Sequence, residues 1–305
     1  MSLLLSLVAQ ILHLALMIAA APLAAGVSDR LEAHISGRSG ASVLLPWRDL
    51  VRLSRKTPAE TDSGSVVLRY APCAALGITL AAAALTPSFS RSMALSPLAD
   101  ILVIVSLLTS ARVAMVLAAL DAGAPDPGLA AQQSSALAVP AEAALIVLAL
   151  AVALMAGGFN LDLIMGQARD GGLSPAAASA VGLAALLALA FVDDGFSHTG
   201  LDRAAAGNGL AMSRLTLWLR RLVWLDLVGA LALPTGYATA GAGTLEWCIG
   251  LACWGGKLGV LILLLAAARA TLGRLAARRS AEVAGLAALL AVLAAVMVLA
   301  SARMA

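Results

Sequence analysis

The chain has 305 residues, of which 61% are hydrophobic and only 12% charged, with a mean hydropathy of +0.96 and a formal net charge of +3. Soluble domains carry about 25% charged residues, so the composition excludes a water-soluble globular protein. The apolar mass is Ala, Leu and Val with few aromatics, which suits helices packed closely in lipid and argues against a β-barrel. The basic balance does not point to nucleic acid, because Lys and Arg cluster between apolar runs as topology signals do.

A helix needs roughly 20 apolar residues to cross a hydrocarbon core of about 30 Å. In chain order the qualifying segments are 2–25, 70–88, 98–120, 137–158, 175–192, 215–234, 243–267 and 282–302. They predict an all-α integral membrane fold, a bundle of about eight transmembrane helices in a single domain, with a long loop 26–69 between the first two. Residues 2–25 have no basic n-region and exceed the length of a secretory h-region, so they read as a retained span.

Even span number puts both termini on one side. One face holds the loops 26–69, 121–136, 193–214 and 268–281 with 13 Lys and Arg between them, none of these in 121–136, whereas the opposite face carries only Arg91, Arg169 and Arg303. The positive-inside rule then places the first set in the cytoplasm and both termini on the outer side of a cytoplasmic membrane.

The long loop contains Gly37-Arg38-Ser39-Gly40, then Leu45-Pro46-Trp47-Arg48-Asp49-Leu50-Val51-Arg52-Leu53-Ser54-Arg55-Lys56. This resembles the membrane subunit shared by respiratory complex I and the membrane-bound nickel-iron hydrogenases, including formate hydrogenlyase and hydrogenase-4, whose pattern reads G-R-x-G-P, L-Q-P, D-L-x-K-L-x-K. Arg38, Gly40, Pro46, Asp49, Leu50, Leu53 and Lys56 match in register, while Ala41, Leu45 and Arg52 depart from it. Arg69-Tyr70-Ala71-Pro72 with Pro87, Leu120-Asp121-Ala122-Gly123, Trp224 with Pro234, and Arg279-Ser280-Ala281-Glu282 extend the likeness nearly end to end. The family's acidic loop between the fifth and sixth spans is shortened here, with Asp193 and Asp194 before Gly195 as its remnant, and Gln132-Gln133 stand where the family has an R-E pair.

Charges at mid-span cost about 2.5–3.5 kcal/mol on insertion scales and need partners or a wet cavity. Arg112, Glu142, Asp226 and Lys257 occupy such positions, two cations and two anions that can neutralise one another if their helices meet. The sequence leaves their pairing open. Carboxylates and lysines suit proton relay because burial tunes their affinity for protons, and an ion-paired scaffold fixing helix register is the competing reading. Asp100 and Glu246 lie near span ends, within reach of water. His13 reads as a helix–helix hydrogen bond, and His34 and His198 as solvated or at a subunit contact. Cys73, Cys248 and Cys253 lie in apolar segments without metal or disulfide spacing, and Gly255 with Gly259 forms a close-packing motif in the seventh span.

Arg48, Arg52, Arg55 and Lys56 recur at three- and four-residue spacing, on one face of a helix that can grip anionic lipid or an acidic partner. The resemblance implies that this loop, with Arg38 and Asp49, docks a peripheral hydrogenase- or dehydrogenase-like arm. It implies further that the chain contacts antiporter-like membrane subunits which translocate protons or another ion. No nucleophile–base set, phosphate loop or metal-ligand cluster is found, so neither catalysis within this chain nor a cofactor is expected. A free-standing secondary transporter and a purely structural anchor remain the other readings.

Overall fold

In the computed structural model, residues 2–56, 65–169 and 205–304 are described, with helical positions 182, 184, 185, 187, 188 and 190. Helices dominate: α1 (Ser2–Ile35), α2 (Leu45–Ser54), α3 (Val66–Leu85), α4 (Ile101–Asp121), α5 (Pro125–Ala156), α6 (Leu161–Arg169), α7 (Gly207–Ala232) and α8 (Thr244–Met304). Two short strands, β1 (Ser90–Arg91) and β2 (Ala238–Thr239), pair in parallel.

Five of the described helices are long and apolar enough to cross a membrane: Leu4–Ile35, Val66–Leu85, Ile101–Asp121, Pro125–Ala156 and Thr244–Thr271. They overlap the expected first to fourth and seventh spans. The shorter apolar stretch Glu282–Met297 lies within the eighth. Most of the expected fifth span, 175–192, falls outside the described residues.

The expected sixth span is α7, which carries Arg214, Arg220, Arg221 and Asp226. From Leu219 to Ala230 every residue is buried, and α7 packs against α1, α2, α3, α6 and α8. A helix apolar or buried on all sides belongs at the centre of a bundle. Arg220, Arg221 and Asp226 therefore lie inside protein, while Arg214, at the start of the helix, is partly exposed.

Several helices run past the limits drawn from hydropathy. α1 continues to Ile35 rather than stopping near residue 25, α5 begins at Pro125 inside the expected loop 121–136, and the backbone stays helical through 268–281. Hydropathy marks where lipid contact ends, whereas helix continuity is decided by propensity and by breakers. Residues 268–281 are mostly Ala, Leu and Arg, all good helix formers, and proline is favoured in the first turn where α5 starts.

α1 ends in a left-handed cap. Gly37 has φ +68°, the Arg38 amide donates to Ala33 O (2.8 Å), and the Gly37 amide donates to His34 O (3.0 Å). Gly40 then returns over α1, where a Cβ on it would lie 3.0 Å from Arg30 Cα. Further along, Val43 crosses α1 at Gly26 and leads into α2. α2 buries Pro46 and Leu53 and lies against α1 and α7.

The opposite end of the bundle is closed by three interlocked loops. Ala238 N–H donates to Phe89 O (3.0 Å), Ala240 N–H to Arg91 O (3.1 Å), and Phe89 meets Trp247 edge-on at 6.0 Å. Asp162 accepts from Ser92 N–H (2.9 Å) and from the Ser96 hydroxyl, while Asn160 Nδ2 donates to Ser96 O (2.9 Å). Arg214 lies at the α2 end of α7 and Leu233 at the closed end, a rise of about 28 Å at 1.5 Å per residue. That distance is about the thickness of a hydrocarbon core.

Candidate functional site

The four charges that the sequence singles out fall into two centres. Arg112 on α4 lies 3.8 Å from the Glu142 carboxylate on α5, with the guanidinium side buried and Glu142 side chain 31% exposed. One turn before Arg112, the carbonyl of Leu108 accepts from Arg220 Nη1 on α7. Arg220 and Arg221 are both buried, so two helices bring three guanidinium groups into the interior. Arg220 and Arg221 are not among the charges that the sequence singles out, and their adjacent positions on one apolar segment are the signal that marks them.

Asp226 lies farther along α7 and is 5% exposed. Its Oδ1 accepts from the Trp254 indole N–H on α8 at 2.8 Å, while its Oδ2 has no hydrogen-bond partner among the described residues. Lys257, one turn beyond Trp254, donates to the carbonyls of Leu233 (2.6 Å) and Thr235, and its ammonium sits 3.9 Å from the centre of the Tyr237 ring. The end of α7 presents unsatisfied carbonyls that attract a cation. Lys257 is thus seated on the helix terminus, and no direct ion pair between Asp226 and Lys257 is seen among the described residues.

A third set was missed by the sequence reading. Arg269 on α8, 8% exposed, reaches Asp29 (3.7 Å), Glu32 (3.4 Å) and the Ser28 hydroxyl (3.2 Å), all on α1. Asp29 and Glu32 share one face of α1 only because that helix continues past residue 25.

Arg48 and Arg52 lie on α2, and Arg55 and Lys56 follow directly at its C-terminal end. Arg48, Arg52, Arg55 and Lys56 are exposed and line an open groove of about 520 Å³ with Trp47 and Val51. Asp49 is engaged by Arg52 (3.0 Å) and by Arg214 of α7 (3.6 Å), tying α2 to the central helix. Arg38 is exposed just beyond the cap of α1. Asp193, Asp194 and His198 lie outside the described residues.

The remaining singled-out residues have plain structural surroundings. His13 is fully buried, with Nε2 2.8 Å from Ala83 O and Nδ1 2.7 Å from the Ser88 hydroxyl. The carbonyl can only accept, so Nε2 carries the proton and the serine hydroxyl donates to Nδ1. Both ring nitrogens are thereby used in joining α1 to the end of α3. Asp121, in the Leu-Asp-Ala-Gly motif, accepts from the Ser65 hydroxyl (2.6 Å) and the Leu68 amide (3.0 Å) at the start of α3. The three cysteines are free thiols, Glu246, Gly255 and Gly259 are exposed, and Asp100 is half-buried beside Asn160.

Similarity to known proteins agrees with the resemblance carried by the long loop. The profile of the NADH dehydrogenase family matches residues 7–195. The chain is 28% identical to hydrogenase-4 component C of Escherichia coli over 230 residues, covering 71% of this chain and 72% of that protein. It is 26% identical to formate hydrogenlyase subunit 4 of the same organism over 259 residues, covering 81% and 84%. In three dimensions it superposes with TM-score 0.73 and 17% identity on a chain of the membrane-bound sulfane sulfur reductase, an archaeal respiratory membrane complex, over 95% of this chain and 99% of that one. That likeness establishes a shared fold. With the family profile covering well over half of its length, the chain belongs to the NADH dehydrogenase family.

Proposed function

We propose that this chain is the membrane-anchor and coupling subunit of a complex-I-like or hydrogenase-4-like respiratory assembly. It docks a peripheral redox arm through the surface formed by Arg38, Arg48, Asp49, Arg52, Arg55 and Lys56, and it meets antiporter-like proton-translocating subunits laterally. The observation that carries this reading is α7, a buried helix whose Arg214 is tied to the docking loop and whose Asp226 lies toward the opposite end. A disturbance of α2 reaches the intramembrane charges through one rigid element. The relatives support the same assignment, because they are components of hydrogenase-4 and formate hydrogenlyase. The charge bias of the loops supports a cytoplasmic position for α2 at the cytoplasmic membrane, and an even number of spans would put both termini outside.

Arg112, Glu142, Asp226 and Lys257 form the coupling set, in which protonation at Asp226 or Glu142 is exchanged against movement of the nearby cations. Asp226→Asn keeps the acceptor for Trp254 and removes only the titratable group. In the assembled complex, Asp226→Asn, Glu142→Gln and Lys257→Met should each lower proton uptake by about two orders of magnitude, the low end of the cost of removing a proton-transfer group. Subunit composition should stay unchanged. Wild-type uptake in all three variants would instead identify a purely structural anchor, a reading favoured by the fixed Asp226–Trp254 hydrogen bond. Solute flux by the chain alone in liposomes would identify a secondary transporter.

A further inference from the structure

The groove on α2 shares its basic residues with the proposed docking surface and adds an apolar wall that the docking of a protein arm does not use. Its polar wall is Arg48, Arg52, Arg55 and Lys56, and its apolar wall is Trp47 and Val51, the latter 45% exposed. The apolar side continues onto Leu44 and Leu45, which are 51% and 42% exposed. Asp49, the carboxylate on this helix, is already held by Arg52 and Arg214, so the groove keeps a net positive charge.

The depth of the groove is fixed by α1. Pro46 Cδ lies 3.2 Å from the position a Cβ on Gly26 would take, and Gly26 marks the end of the apolar run of α1. α2 therefore begins beside the residue where the apolar run of α1 ends, the level expected for the change from hydrocarbon to headgroups, and it packs against α1 and α7. Tryptophan favours that level, long basic side chains bury their stems there while reaching outward, and clustered Lys and Arg at a membrane surface attract anionic headgroups.

We infer that the groove is a binding site for one anionic phospholipid, its phosphate held by Arg48, Arg55 and Lys56 and the start of its acyl chains lying on Trp47 and Val51. An acidic segment of a peripheral protein would satisfy the cations but would leave the apolar wall and its continuation toward Leu44 and Leu45 without a matching surface. The inference rests on the membrane orientation of α2 used above, and not on the docked arm.

The test is native mass spectrometry of the detergent-extracted full-length protein, with whatever subunits accompany it, after addition of phosphatidylglycerol or phosphatidylcholine. The site predicts one retained phosphatidylglycerol and no comparable retention of phosphatidylcholine. The triple variant Arg48→Gln, Arg55→Gln, Lys56→Gln should weaken that retention about a hundredfold, whereas the charge-keeping variant Arg48→Lys, Arg55→Lys, Lys56→Arg and the single variant Arg38→Gln should preserve it. Equal retention of both lipids, or full retention of phosphatidylglycerol by the neutral triple variant, overturns the site. Loss of a peripheral subunit from that variant with lipid still bound also overturns it and makes the groove a protein contact. A wild-type chain that purifies alone yet keeps phosphatidylglycerol refutes the docking role and upholds the lipid site.

Discussion

Replacing Gly26 by alanine is expected to unseat the loop that precedes α2. A Cβ built on Gly26 would lie 2.1 Å from Val43 O and 2.9 Å from Val43 C, both backbone atoms that cannot rotate away. The chain must retreat from α1 by more than an ångström, which carries Pro46 and the start of α2 with it. Overpacking of this kind costs about 1–3 kcal/mol and sometimes more. It outweighs the gain of roughly 1 kcal/mol that alanine gives over glycine within a helix. Limited proteolysis across 36–44 should become rapid, and under the proposed docking role the peripheral subunit should be lost on extraction. Gly77→Ala is the matched control, because a Cβ there meets nothing within 4 Å and the variant should be no less stable than the parent. Unchanged cleavage in Gly26→Ala would refute the close approach of the loop to α1.

Arg269→Ala should destabilise the protein by about 3 kcal/mol, the low end of the cost of breaking a buried ion pair. The guanidinium is 8% exposed and faces two carboxylates of α1, whose side chains are 54% exposed at Asp29 and 33% at Glu32. Those partial exposures let water recover part of the loss, which sets the low figure, but Ser28 is 1% exposed and loses a hydrogen-bond partner. Arg269→Lys keeps the charge without the forked geometry that reaches three side chains at once, so it should recover only part of the stability. The measurement is the midpoint of thermal unfolding in detergent, with a fall in Arg269→Ala several times larger than in Arg52→Ala, whose side chain is 65% exposed. Equal midpoints would show that α1 and α8 are not held together by this cluster.

Much of the bundle was readable from hydropathy, because the sequence pays an insertion penalty for each charge and so keeps lipid-facing runs clean. Leu4, Ile11, Val113, Leu117, Leu154 and Leu264 are exposed apolar residues on such runs. Helix ends were read less well. Asp29 and Glu32 end an apolar run without ending a helix, and residues 268–281 are polar enough to suggest a loop while retaining strong helix propensity. The motif around Gly37 and Gly40 was readable in position but not in cause, which lies in the left-handed cap and in the return of the chain across Arg30.

Pairing was the least readable level. Nothing in the spacing of Arg112, Glu142, Asp226 and Lys257 states that Glu142 takes Arg112 while Asp226 takes an indole and Lys257 takes the end of α7. Such choices are made by which helix faces meet, and Arg269 meets Asp29 across 240 residues of chain. The two-residue strands that close the far end of the bundle leave no alternating pattern to detect.

Under the proposed function this protein works as one member of a membrane assembly, so gentle detergent extraction followed by identification of the copurifying subunits is the decisive measurement. A peripheral hydrogenase- or dehydrogenase-like subunit together with antiporter-like membrane subunits is the predicted result. A single polypeptide that stays alone, and stays folded, through the same extraction would contradict it.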